Sequence, residues 1–175
     1  MKAAHFAAQK HVNQRRKGVS GEPYVNHLIE AAELVASALP EPDTNLVIAT
    51  LLHDTIEDTG VTKTELAEQF GQDVADLVAE VTDDKSLPKQ ERKRLQVAHA
   101  AEKSPRAQTI KLADKISNLR AILTSPPADW DLNRRKEYFA WAQSVIGSIA
   151  HPNPILKAEF DATVAKFEAL YSGPV

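Results

Sequence analysis

Residues 45–58 read Asn45-Leu46-Val47-Ile48-Ala49-Thr50-Leu51-Leu52-His53-Asp54-Thr55-Ile56-Glu57-Asp58. Six of the first eight are apolar, which suits a buried element, and the stretch predicts one helix over about 44–58. That helix would end in an imidazole and three carboxylates. His53 and Glu57 are four apart, as are Asp54 and Asp58, so in a continuous helix each pair shares a face. Acids in a last turn oppose the helix macrodipole, at roughly 0.3–1 kcal/mol each when exposed. A compensating cation is expected, and a metal ion is the natural one. Read alone, the same residues also describe an acidic, solvated helix end, so partners elsewhere in the chain must decide.

Outward from this stretch the chain is punctuated for helices. Its ten prolines fall between helical patterns or at their starts, and no segment shows the alternation of a strand. Helices are expected over about 2–15, 24–39, 44–58, 63–70, 72–82, 88–102, 105–124 and 131–150, with another near 154–171. The fold class is therefore all-α, with eight to nine helices in a single domain over residues 1–175. Thr62-x-x-Glu65 is a capping box whose helix Gly71 closes. Val74, Leu77, Val78 and Val81 follow an amphipathic stripe, and Ser104-Pro105 reads as an N-cap with proline at the first helical position.

A chain of 175 residues hides roughly 70% of its unfolded surface, enough for a real core. Net charge of −3 and a pI near 6.1 argue against nucleic-acid polymers and anionic membranes as partners. With no cysteine, any metal must rely on His, Asp and Glu. No run approaches the roughly 20 apolar residues of a membrane span, so a cytoplasmic protein is expected.

Four places can supply one site: His27, the pair His53 and Asp54, and Asp114. Asp114 lies in Lys111-Leu112-Ala113-Asp114-Lys115-Ile116-Ser117-Asn118-Leu119-Arg120, a mostly apolar helix, so it is expected to point inward. An inward aspartate without a partner costs several kcal/mol. Either a metal or an ion pair with Lys111, Lys115 or Arg120 would relieve it. His27, read alone, is an ordinary core or helix-surface histidine. Two histidines and two aspartates form a mixed N/O set that suits Mn²⁺, Fe²⁺ or Zn²⁺ more than Mg²⁺ or Ca²⁺. Three basic clusters, Arg15-Arg16-Lys17, Lys89 with Arg92-Lys93-Arg94, and Arg134-Arg135-Lys136, are either solvated helix faces or binders of a polyanion.

Taken in order, His27, His53-Asp54 and Asp114 resemble the H…HD…D signature of HD-domain metal phosphohydrolases. The resemblance is closer to the hydrolase domain of the RelA/SpoT alarmone enzymes, and closest to its stand-alone small members. It is carried by Arg15-Arg16-Lys17, Gly21-Glu22-Pro23-Tyr24-Val25-Asn26-His27, Leu51 through Thr59, Phe70-Gly71, Thr82 through Gln96 and Lys111 through Arg120. It implies a helical HD fold and a Mn²⁺-dependent hydrolase, with Zn²⁺ or Fe²⁺ as other candidate ions. The implied substrate is a small nucleotide, guanosine 3′,5′-bis(diphosphate) or its pentaphosphate relative, cleaved to GDP or GTP plus pyrophosphate by a metal-activated water. By position His27, His53, Asp54 and Asp114 resemble the metal ligands, and Glu57 and Asp58 the catalytic acids. Arg16, Lys17, Asn118, Lys89, Arg134 and Tyr138 resemble substrate contacts, with the Arg16 guanidinium suited to stacking on the base.

Leu28 departs from the family, many members of which have proline after the histidine. The resemblance covers hydrolase motifs alone, so hydrolysis without synthesis is expected. His11 is read as structural, and His5, His99 and His151 as surface residues. Two other functions share these motifs: a phosphatase removing the 2′-phosphate of NADPH, and a non-catalytic guanine-nucleotide-binding module. Retention of all four ligand positions and both acids argues against the second.

Overall fold

In the computed structural model, which describes residues 1–171, the chain forms ten α-helices. They are α1 (Lys2–Lys10), α2 (Val25–Ala38), α3 (Thr44–Leu52), α4 (Thr55–Thr59), α5 (Lys63–Phe70), α6 (Gln72–Val81), α7 (Lys89–Ala98), α8 (Pro105–Thr124), α9 (Leu132–Gly147) and α10 (Pro154–Tyr171). No strand forms among the described residues; a single antiparallel bridge joins Arg15 to Pro23. No helix among them is long and apolar enough to cross a membrane.

Helix α8 organises the interior. Ser104 caps it by accepting from the Ala107 N–H, with Pro105 in its first turn. Ile110, Leu112, Ala113, Ile116 and Leu119 are fully buried, because α8 packs against α2, α3, α6, α9 and α10. The helix is buried on most of its sides, with polar residues such as Asp114 and Lys115 among the buried ones, and each buried leucine or isoleucine contributes about 1.5–3 kcal/mol. Thr62 caps α5 through the Glu65 N–H, and the stripe Val74, Leu77, Val78 and Val81 seats α6 in the core.

Three helices are shorter than the sequence pattern implies. The first ends at Lys10 rather than near 15, because the chain doubles back: the Arg16 N–H donates to Glu22 O (2.9 Å) and the Tyr24 N–H to Gln14 O (3.1 Å). The expected 88–102 helix stops at Ala98 before a 3-10 turn, where the buried Gln108 amide donates to Ala100 O and Lys103 O. The ninth ends at Gly147.

The most consequential difference lies in the opening stretch. Residues 44–58 form two helices, not one, with the break at His53-Asp54. Three side chains around the break occupy backbone carbonyls: Thr50 Oγ1 donates to Leu46 O (2.7 Å), His53 Nδ1 to Thr50 O (2.7 Å) and Thr55 Oγ1 to Leu52 O (2.6 Å). Such bonds compete with the helical ladder. Successive residues on a helix do not face each other; at the break His53 and Asp54 do. Glu57 and Asp58 therefore lie in the first turn of α4, where the macrodipole favours acids, instead of the last turn of a longer helix. The expected opposition to the dipole is corrected accordingly.

Candidate metal centre and catalytic cleft

Helix α2 supplies His27, the α3–α4 break supplies His53 and Asp54, and the middle of α8 supplies Asp114. His27 Nε2 lies 3.3 Å from Asp114 Oδ1 and 3.6 Å from Asp54 Oδ2. His53 Nε2 lies 3.2 Å from Asp54 Oδ2 and 3.8 Å from Asp114 Oδ1. Ligand atoms of His27, His53 and Asp114 all fall within 4.8 Å of one another, and these residues are 0%, 5% and 8% exposed. Asp54 is half-buried beside them.

Hydrogen bonds behind the ring set which imidazole nitrogen faces the cluster. His53 Nδ1 meets a carbonyl and so must carry the proton. Ser117 Oγ donates to Glu30 Oε2 (2.6 Å), so it accepts from His27 Nδ1 (2.8 Å). Both Nε2 atoms are buried and, among the described residues, lack a hydrogen-bond partner. Two imidazole Nε2 atoms turned toward carboxylates, each ring fixed from behind, are what a divalent cation requires once it displaces the proton that those carboxylates otherwise hold on His53. The residues present fit such an ion.

The acids are anchored as well. Asp54 Oδ2 accepts from the Tyr24 hydroxyl (2.6 Å), and Asp114 Oδ1 from the Asn118 amide (2.6 Å). Asp114 Oδ2 accepts from Lys115 Nζ (2.8 Å), so the ion pair offered as an alternative to metal binding coexists with the cluster. Burial alone would raise both carboxyls, but the histidines beside Asp54 and Lys115 beside Asp114 hold them well below the usual carboxylate range. Burial likewise opposes a charge on His53, yet Asp54 and Asp114 outweigh it and raise the ring to about 10.

Glu57 and Asp58 stand beside this centre. Glu57 Oε2 accepts from the Asp83 N–H (3.1 Å), with Arg92 Nη1 3.6 Å from its other oxygen. Burial, then the charge of Asp54, pushes the Glu57 carboxyl up. Asp58 Oδ2 accepts from the Gln14 amide (2.7 Å), and its Oδ1 meets Lys85. Both acids line a cleft of about 660 Å³ together with Arg16, Lys17, Lys89, Asn118, Arg134 and Tyr138. Burial and the charges of Lys17, Arg134 and Arg92 push the Lys89 amine down. Cations crowded together in this way are suited to a polyanion.

Every candidate site residue thus reaches either the cluster or the cleft, though with different freedom. Arg16 is committed to the protein: it donates to Ser117 Oγ (3.1 Å), Ser117 O (3.1 Å) and Asn118 Oδ1 (3.3 Å). It forms wall, not a free donor. Arg134 stacks 4.9 Å above Trp130, and burial pushes the Tyr138 hydroxyl up to about 12. The basic clusters divide: Arg94 turns outward to Glu91, and Arg135 donates to Trp130 O. His5, His99 and His151 are exposed as expected.

Sequence reasoning gave no role to Gln14, Tyr24, Glu30, Ser117 or Lys85, and offered Arg92 only as a member of a basic cluster. Each contacts the site across a loop or between helices, so no local spacing marks it. The run of motif residues around Tyr24 and Lys85 was the available signal.

A family profile described as HD domain matches residues 3–138. The chain is 47% identical over 161 residues to guanosine-3′,5′-bis(diphosphate) 3′-pyrophosphohydrolase MESH1 of Xenopus tropicalis, spanning 92% of this chain and 90% of the relative. It is 48% identical over 153 residues to the Homo sapiens protein of that name, spanning 87% and 86%. A solved structure described as "A metazoan ortholog of SpoT hydrolyzes ppGpp and plays a role in starvation responses" superposes with a TM-score of 0.90 at 43% identity, over 95% of this chain and 93% of the other.

Proposed function

This chain belongs to the HD domain family, and on that premise we propose that it is a phosphohydrolase acting on guanosine 3′,5′-bis(diphosphate) and its pentaphosphate relative. It releases pyrophosphate from the 3′ position and leaves GDP or GTP. The observation that carries this reading is the convergence of the His27 and His53 Nε2 atoms with Asp114, and with Asp54 beside both rings, next to a cation-lined cleft holding a second acid pair. The relatives at 47% and 48% identity bear the name of that activity. Residues 1–175 act as one catalytic domain, in the cytoplasm, on a small nucleotide.

His27, His53, Asp54 and Asp114 hold the cation, and Mn²⁺ is the ion proposed for this N/O set. When bound it supplies Lewis acidity toward a phosphoryl oxygen and water. Glu57, its carboxyl made more basic by burial and by Asp54, takes the proton from the attacking water. Asp58, fixed by Gln14, orients that water. Attack falls on the phosphorus borne by the ribose 3′ oxygen; that P–O bond breaks, and the proton held by the acid pair passes to the departing oxygen. Lys17, Lys89 and Arg134 offset the charge of the diphosphates. Asn118, which bridges Asp114 and Arg16, is the residue assigned to the ribose or its phosphate.

The test is hydrolysis of the alarmone and of NADPH side by side, with manganese content measured. Pyrophosphate should appear from the alarmone, and Glu57→Gln and Asp58→Asn should each lower kcat by about 10²-fold or more while keeping their metal. Orthophosphate from NADPH with no alarmone turnover would overturn the substrate assignment. Near-normal turnover in both variants would remove the acids from the mechanism.

A further inference from the structure

His11 is a titratable residue that the reaction leaves unused, and it is only 2% exposed. Its Nδ1 lies 2.6 Å from Gln14 Oε1, and Gln14 Nε2 lies 2.7 Å from Asp58 Oδ2. The chemistry of the partners fixes every proton in this chain. A carboxylate accepts only, so the amide nitrogen of Gln14 must face Asp58. The amide oxygen then faces His11 and requires Nδ1 to be the protonated ring nitrogen. His11 Nε2 is left buried and, among the described residues, without a partner. A residue serving only to fill space would be better replaced by leucine, because the orphaned nitrogen is a stability cost.

The same segment reaches the metal centre by a second arm. The His11 ring stacks on Tyr24 at 5.2 Å and 27°, and the Tyr24 hydroxyl donates to Asp54 Oδ2 (2.6 Å). Backbone bonds Tyr24 N–H to Gln14 O and Arg16 N–H to Glu22 O close residues 14–24 into a narrow loop, so the two arms are tied at their base. We propose that Gln14, locked by His11, is a positioning residue that sets the direction of the Asp58 carboxylate from outside the metal-binding motif. This rests on reading Asp58 as a catalytic acid. The other oxygen of Asp58 meets Lys85, whose side chain is 48% exposed and free to turn toward an incoming phosphate. When Lys85 turns away, Gln14 still holds the carboxylate.

The experiment is a double-mutant cycle in the full chain loaded with manganese. Gln14→Met should lower kcat by about tenfold to a hundredfold, the scale of a misdirected reacting group, with KM and manganese per chain unchanged and the melting temperature only a few degrees lower, because His11 Nδ1 loses its partner. In the Asp58→Asn background the same substitution should cost less than about twofold more, because coupled residues do not add. His11→Asn, which keeps an N–H near the place of Nδ1, should retain most of the turnover that His11→Leu loses. Unchanged kcat in Gln14→Met, fully additive losses in the cycle, or a loss matched by lost manganese would each overturn the proposal. Should His11→Leu fold poorly, the Gln14 cycle still decides, since Gln14 is only half-buried. Parent-like turnover in Asp58→Asn alone would instead strike the acid-pair reading beneath the proposal, and the two failures are told apart by that single variant.

Discussion

Lys115 Nζ sits 2.8 Å from Asp114 Oδ2 and 4.7 Å from the centre of the Trp141 ring, with almost none of it in solvent. Burial alone would discharge the amine, yet Asp114 holds it above its ordinary range. Lys115→Met would leave Asp114 short of a counter-charge and should destabilise the metal-free protein by about 3–5 kcal/mol. Added manganese should recover part of that loss, and urea denaturation with and without the ion checks both. His53 makes a second residue-level expectation. Its ring is raised from the ordinary 6.5 to about 10, so the proton's contribution to stability is full below pH 6.5 and drains as pH climbs through 10. Melting curves of the chelated protein should fall across that window, and His53→Asn should flatten the fall. With manganese the proton is displaced, so affinity rises with pH and the two sets of curves diverge.

Among the elements, the break between α3 and α4 decides the site. Thr55 is buried and its hydroxyl takes the Leu52 carbonyl, so Thr55→Val should cost about 1–2 kcal/mol and lower the melting temperature by roughly 2–8 °C. Calorimetric titration should show weaker manganese binding, because His53 and Asp54 lose their shared direction. The sequence made the helices legible wherever a local device marks them: the Thr62 and Ser104 caps, the valine stripe of α6 and the apolar faces of α8. The residues proposed as ligands and as the acid pair were picked out through their resemblance to a known motif order, and the fold brings them to one cluster and one cleft. The break was not legible, since Leu51 through Asp58 satisfies helical spacing and only the competition of three side chains for carbonyls interrupts it. Gln14 and Lys85, and the pairing of Arg92 with Glu57, were hidden for another reason. They span 44, 27 and 35 residues of chain to Asp58 and Glu57, distances that packing sets and no short pattern encodes.

For the whole molecule, the proposed ligands come from α2, the α3–α4 break and α8, and with no cysteine in the chain no disulfide links them. A cation gripped by all three adds stability to the folded state alone. Manganese at a hundred times its Kd should raise the unfolding free energy by about 2.7 kcal/mol, and the melting temperature by roughly 5–10 °C, over the chelated protein. Differential scanning calorimetry at fixed pH is the check, and an unchanged transition would show that the cluster grips no ion.

The helix that fills the interior is also the one that presents Asp114 at its midpoint. Any slackening of the hydrophobic packing should therefore tilt the oxygen proposed to hold the ion before the chain melts. Truncating Ile116 to alanine should be heard first as faster ion leakage, so off-rates to a chromogenic chelator become a strain gauge for the interior, readable without substrate.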